Sequence, residues 1–307
     1  MKIAVLYGGT SAEREVSLSS GKGIIEALKK KNYDVIGIDF QGTKKCLEQI
    51  IALDVDMFFI GLHGRLGEDG RVQGLLDLLN KPYVGSNVLG SALAMDKAKS
   101  KKMFSLQGIR VAKEMVVEKH SFQEKEFNNV IPFPVVVKPN HEGSTIGLTI
   151  AQNEEELVNG IKAAFSHDDV VLLEQFISGR EVTVAVMGNK GGVKALPIVE
   201  IVPKNAYYDY ESKYAPGGSE HICPAKLSEE LTAALQEQAV LAHVALGCDV
   251  YSRVDFIIPH DGSAPVILEV NTLPGMTPTS LYPDAAREIG YTYEDMIDHL
   301  VKLSLNK

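Results

Sequence analysis

The chain's 307 residues, 45% apolar and 23% charged, suit a soluble globular protein of two or three domains and exclude a disordered one. A formal charge of −9 leaves no basic excess to neutralise phosphates, which argues against non-specific nucleic-acid binding but still allows local basic pockets. Three widely spaced cysteines, Cys46, Cys223 and Cys248, form no CxxC pair or disulfide framework. The apolar run Ile3–Tyr7 is too short for a signal-peptide core, and no run approaches the roughly 18 apolar residues of a membrane span, so a cytoplasmic protein with no membrane contact is expected.

Ile3–Tyr7 reads as a buried strand, Ser17–Lys30 as a helix with Leu18, Ile24, Ile25 and Leu28 largely on one side, and Val35–Asp39 as the next strand. A third strand, Val55–Leu62, leads into HGRLGEDG and a helix at Val72–Leu79. Alternating strands and helices predict a parallel sheet with ligand-facing loops at the strands' C-terminal ends. The familiar nucleotide fingerprints are absent. Gly8-Gly9 does not continue as GxGxxG, and Gly21-Lys22 lacks the upstream glycine and following hydroxyl residue of a Walker A loop.

The segment from about Ser91 to Arg110 reads as a helix leading into a second domain. Its run of Asp96, Lys97, Lys99, Lys101 and Lys102 has the look of a solvated face. An apolar strand then ends on Lys138, and Pro139 fixes an extended exit. The small polar loop Asn140–Gly147 has two readings, a backbone cradle for phosphates or an ordinary turn. Glu154–Phe165 is a helical pattern, and Val170–Phe176, Glu181–Met187 and Ala195–Val202 are strand patterns.

Pro203–Pro224 shows no period, but four tyrosines argue against simple disorder, leaving an ordered lid or a dimer contact. Leu227–Leu246 is an amphipathic helix. Tyr251–Thr277 then reads as a hairpin turning at Pro259–Gly262, with Val254, Phe256, Val266, Leu268 and Val270 on one face. Arg253, Asp255, Glu269 and Asn271 share the other. That polar face is either a salt-bridged, solvated surface or three oxygen donors for a hard cation beside a phosphate-facing arginine. Ser280 opens a terminal helical region, and Tyr293–Leu305 is a closing helix.

Seven stretches, in order, resemble the D-alanine–D-alanine ligase branch of the ATP-grasp enzymes: GGTSAEREVSLSSG, LHGRLGEDGRVQG, ALAMDKAKSK, VVVKPNHEGSTIG, YYDYESKY, RVDF and LEVNTLPGMTPTSL. The resemblance covers nearly the whole chain. It implies an α/β fold with an N-terminal parallel domain over 1–95, followed by two α+β domains, 96–180 and 181–307, that sandwich ATP.

The same resemblance assigns Lys97 and Lys138 to the phosphates of ATP and the loop from His141, with Glu142, Gly143 and Ser144, to their cover. Glu174, Gln175, Phe176 and Ile177 match the segment whose backbone reads adenine, and Glu181 the acid on the ribose. Asp255, Glu269 and Asn271 match the ligands of Mg²⁺, implied as two ions, with Mn²⁺ as a substitute. Glu15 matches the residue that holds the ammonium of the first D-alanine, with Ser144, His63, Lys213 and Tyr214 around it. Arg253 and the backbone at Gly275 match the stabiliser of the oxyanion, and Ser280 and Leu281 the receiver of the second carboxylate. The implied reaction joins two D-alanines for cell-wall precursor synthesis through an acylphosphate. Tyr214, where D-lactate-using relatives carry histidine, favours an amine acceptor. A homodimer is the family expectation.

Overall fold

The computed structural model describes residues 1–189, 191–203 and 219–307. Its first sheet is fully parallel, in the order β2 (Asp34–Phe40), β1 (Lys2–Gly8), β3 (Met57–Ile60) and β4 (Tyr83–Val84). The four residues of β3 are all buried, and so are Gly61, Leu62 and His63 after it, which puts the following loop at the C-terminal edge of the sheet. Helix α1 (Arg14–Lys30) packs Ile24, Ala27 and Leu28 onto this sheet. Two short helices, α2 (Lys44–Ala52) and α3 (Arg71–Leu78), fill the crossovers.

The expected single helix over 91–110 is two. Helix α4 (Val88–Met95) ends and α5 (Lys97–Leu106) begins at Asp96, whose carboxylate caps α5 by accepting from the Lys99 backbone N–H at 3.1 Å. An antiparallel sheet follows, in the order β5 (Glu114–Glu118), β8 (Val170–Gln175), β6 (Val135–Pro139) and β7 (Thr149–Ala151), covered by α6 (Glu154–Ala164).

The third sheet is antiparallel and five-stranded, in the order β11 (Ser219–Ile222), β10 (Lys194–Pro203), β9 (Gly179–Gly188), β12 (Val250–Pro259) and β13 (Val266–Asn271). β11 lies inside the aperiodic Pro203–Pro224 stretch and pairs back onto β10. The remainder of that stretch, with Lys213 and Tyr214, falls outside the described residues.

Both faces of the third sheet are covered. Val182, Val184, Val186 and Phe256 pack against α4, α5 and α7 (Glu229–Ala245). Ala185, Met187 and Val199 join a core shared with the first sheet through α8 (Leu281–Glu288) and α9 (Tyr293–Ser304). Lys30–Glu294 at 2.7 Å and the Tyr33 hydroxyl donating to Asp298 at 2.6 Å tie α9 back onto the opening βαβ unit. Among the described residues no helix is long and apolar enough to cross a membrane.

Candidate functional site

The hairpin β12–β13 pairs Arg253 with Asn271 and Asp255 with Glu269, so these four side chains do share one face. A bulge between Asp255 and Phe256 then shifts the register, setting Phe256 opposite Ile267. The expected apolar face is corrected accordingly. Ile267, fully buried, takes the core position beside Val254 and Val270, whereas Leu268 is turned into the cleft.

Arg253 grips Asp255 with two bonds, Nε donating to Oδ1 at 3.0 Å and Nη2 to Oδ2 at 2.9 Å. Asn271 donates to the same carboxylate at 2.9 Å, and the Thr183 hydroxyl donates to its other oxygen. No group of three or more His, Cys, Asp or Glu suited to a metal forms among the described residues. The hairpin instead offers two carboxylates and an amide, an all-oxygen set that leaves room for the water and phosphate oxygens Mg²⁺ keeps. The chemistry of these donors fits such an ion.

The polar face opens into a cleft between the second and third sheets. Val136, Ile150, Phe176, Ile177, Ile257 and Leu268 give it apolar walls, suited to a flat heteroaromatic base. Gln175 and Glu181 lie along the same walls. Lys97 reaches in from the start of α5, its ammonium 3.2 Å from Glu269 and donating to the Glu142 carbonyl at 2.6 Å.

Lys138 is ion-paired to Glu174, whose second oxygen lies 2.5 Å from the ammonium of Lys101. Burial alone would raise the Glu174 carboxyl, but the two lysines outweigh it and hold the group at about 2. Lys101, expected on a solvated face, is fully buried. The charge run therefore wraps inward, because Glu174 supplies a partner that a sequence pattern does not display.

The loop after Pro139 closes one side of the cleft. Ser144 and Thr145 both take left-handed backbone angles, φ 52° and 65°. Such angles are strained for a β-branched threonine and concentrate at functional loops. The Ser144 hydroxyl donates to Glu13, and a Cβ at Gly143 or Gly64 would stand 3.2 Å or 2.9 Å from Glu13 Oε2. Two glycines thus let backbone close around that carboxylate.

The structure sets Glu15 apart from this group. Glu13, at the N-cap of α1, is buried and turned to Ser144, whereas Glu15 is exposed. Positions two apart on a helix point about 200° away from each other, so only one of the pair can face the cleft.

His63 is wholly enclosed. Its Nδ1–H donates to the Leu273 carbonyl at 2.9 Å, and Nε2 accepts from the Ser20 hydroxyl at 2.9 Å. Burial holds the imidazole below its ordinary range despite the nearby Glu13, so the ring is neutral. Sequence reasoning missed Glu68, two carboxylate oxygens accepting from the backbone N–H groups of Gly64 (2.6 Å) and Leu273 (3.2 Å). Burial first, and then repulsion from Glu13, push its carboxyl up to about 8. Its place in the HGRLGEDG stretch was the available signal.

Gly275 lies beside the same pocket, where a Cβ would stand 3.2 Å from Ser280 Oγ. Ser280 holds the N-cap position of α8, but its hydroxyl accepts from Thr277 N–H at 3.1 Å and makes no cap bond. The first-turn N–H groups of α8 are therefore not capped by that side chain, a setting that favours a carboxylate. The Leu281 side chain is buried in the core, so a ligand there would meet its backbone.

A family model for the C-terminus of D-ala D-ala ligase matches residues 103–302, and one for the N-terminus matches 2–52 and 40–86. The D-alanine–D-alanine ligase of Halalkalibacterium halodurans is 68% identical over 307 residues, covering 100% of both chains. That of Syntrophotalea carbinolica is 48% identical over 98% of this chain and 95% of its own. The crystal structure of D-alanine–D-alanine ligase from Bacillus anthracis complexed with ATP superimposes with a TM-score of 0.86 at 34% identity, over 100% of this chain and 98% of that one. VanG D-Ala:D-Ser ligase from Enterococcus faecalis gives 0.85 at 33%, over 99% of each. With an ATP-grasp fold matched along its full length, the chain belongs to the D-alanine–D-alanine ligase family.

Proposed function

We propose that this protein joins two D-alanines to D-alanyl-D-alanine at the expense of ATP, releasing ADP and phosphate for peptidoglycan precursor synthesis. The observation that supports this best is the juxtaposition of Glu13 and Ser144 with the lysine-lined cleft. An ammonium-binding carboxylate and a phosphate-binding loop share one hydrogen bond.

In this reading the base of ATP lies between the apolar walls, beside the backbone of Glu174–Ile177, with Glu181 on the ribose. Lys97 and Lys138 neutralise its phosphates. Glu13 holds the ammonium of the first D-alanine, and the carboxylate oxygen of that D-alanine attacks the γ-phosphorus as the bond to ADP breaks. The second amine then attacks the carbon of the resulting acylphosphate, loses a proton, and the tetrahedral centre expels phosphate. Arg253 and the N–H at Gly275 stabilise the oxyanion, and the start of α8 at Ser280–Leu281 receives the second carboxylate. Asp255, Glu269 and Asn271 would hold Mg²⁺ or Mn²⁺, which supplies charge neutralisation of the transferring phosphoryl group. Lys213 and Tyr214, outside the described residues, are assigned to the substrate-binding set, and the acylphosphate must be kept from water. We further assign the chain to the cytoplasm, as a homodimer, with domain divisions near residues 95 and 180.

The test is ADP release with ATP and magnesium in the presence of D-alanine, L-alanine or no amino acid, with the product identified by mass. Release only with D-alanine, and the mass of the dipeptide, supports the proposal; release indifferent to D-alanine removes it. A D-Ala:D-Ser ligase of nearly identical fold keeps a second reading in view, in which the acceptor differs. Offering D-serine and D-lactate beside D-alanine decides it by product mass.

A further inference from the structure

The loop that covers the cleft is knotted at its first residues. Asn140 donates to Asp96 at 2.9 Å and accepts from the Ala98 N–H at 2.8 Å, which fixes the orientation of its amide. His141 follows, and its backbone N–H and ring Nδ1 both lie against Asp168 Oδ2, at 2.7 and 2.8 Å. The other ring nitrogen has two neighbours, Asp96 Oδ2 at 3.4 Å and the Asn140 amide nitrogen at 3.0 Å. A protonated ring pairs with both carboxylates; a neutral one keeps Asp168 and accepts from Asn140.

Asp96 is the cap of α5, the helix that carries Lys97 into the cleft. Asp168 lies just before β8, the strand that carries Glu174. His141 therefore stands where the helix of one phosphate lysine, the strand beneath the other, and the covering loop come together. Nothing in the proposed chemistry uses it. We propose that His141 is a positioning residue, whose imidazolium bridges Asp96 and Asp168 and so pre-orders the loop 142–147 for the nucleotide phosphates.

The remaining charges around the ring do not supply a substitute. Lys99 is already 2.5 Å from Asp96, and Lys119 is 3.3 Å from Asp169. In a separate groove beside the ring Arg71 pairs with Asp69 at 2.9 Å, while Arg65, Glu142 and His167 line the rest. The bonds to Asp168 and Asp96, outweighing burial, raise the imidazole to about 9. With the folded value above the ordinary 6.5 of a histidine, the bridge is fully present below about 6.5 and lost as pH rises through about 9. A loop already ordered in the free protein spares the ligand that ordering, so loss of the bridge weakens binding without touching the chemistry.

The inference rests on the ATP reading of the cleft, and two measurements separate them. Amide hydrogen exchange over 142–148, in nucleotide-free protein at pH 7.5, needs no ligand. His141→Ala should speed exchange there several-fold, and His141→Arg, which can span the same carboxylates, should restore it. Binding of AMP-PNP with magnesium should weaken roughly five- to tenfold in His141→Ala, the scale of a partly buried charged hydrogen bond, with kcat within about twofold. Wild-type affinity should fall as pH passes about 9, while His141→Arg stays flat across that range. Unchanged exchange in His141→Ala, or an alkaline limb identical in wild type and His141→Arg, overturns the assignment. Exchange that responds as expected in a protein that binds no AMP-PNP would instead overturn the ATP reading.

Discussion

The lysine-bearing cleft and the pocket around His63 treat carboxylates in opposite ways. At the nucleotide end Glu174 is buried between Lys101 and Lys138 and is held ionised, at about 2. Beside His63, in the pocket proposed for the amino acid, Glu68 sits near Glu13 and is pushed up to about 8. Burial penalises charge at both places, so the neighbours decide the sign. One end sets Lys97, Lys101 and Lys138 against Glu269 and Glu174, so that each ammonium is held in place where phosphates would enter. The other concentrates acid around a neutral histidine, which suits an arriving ammonium. The lesson is that the cleft's polarity is arranged in the free protein, before either ligand enters.

That polarity can be broken from either side. The largest effect is expected from Glu269→Gln, which removes one oxygen charge from the proposed metal set and the partner of Lys97. Turnover should fall by about 10²–10³, on the scale of removing one preorganised electrostatic group, while the thermal melting curve stays close to wild type. Wild-type ADP release at ordinary magnesium would remove the metal assignment.

Lys101→Met should follow, because it leaves Glu174 with a single partner in a buried setting. Urea unfolding should show a loss of about 3–5 kcal/mol, and the paired variant Lys101→Met with Glu174→Gln should recover much of it. A loss below about 1 kcal/mol would mean that the buried pair is not the organising feature of that end.

Glu13→Gln should raise KM for the first D-alanine by about 10- to 100-fold, the scale of losing a charged hydrogen bond to a buried partner. Glu15→Gln should change it less than about twofold. Equal responses would undo the distinction between the two residues.

The last test concerns Glu68 and pH. Its folded carboxyl lies above the ordinary 4.5, so its contribution to stability is fully present below about 4.5 and fades as pH rises through about 8. The stability gap between wild type and Glu68→Gln, followed by urea unfolding, should therefore shift in favour of the glutamine as pH goes from 5 to 9. A gap that stays constant would mean the carboxyl titrates normally.

Much of this arrangement was legible before any coordinates. The opening βαβ unit, the strand ending on Lys138 and the polar face of the hairpin follow from period, glycine placement and flanking turns. What was not legible depends on contacts between distant segments. Lys101 looks solvated unless Glu174, on another element, is known to lie against it. The bulge that exchanges Leu268 for Ile267 leaves no mark in an alternating pattern. Glu13 and Glu15 differ only in which way the first turn of α1 faces, and the pattern of that turn does not say. Asp96 was read as part of a charge run, although a helix cap and a break between two helices meet there.

The shared core of α8 and α9 with the first sheet has a consequence for synthesis. Ile3, Leu6 and Ile24 lie in one apolar cluster with Tyr282, Met296, Ile297 and Leu300. The opening βαβ unit leaves the ribosome well before α8 and α9, and the side chains that complete its cover come more than 240 residues after β2. At about 5–20 residues per second that interval is on the order of tens of seconds. During it the nascent chain carries apolar surface that α8 and α9 have yet to cover, and a chain truncated before α8 would leave that surface bare for a chaperone or a protease to find.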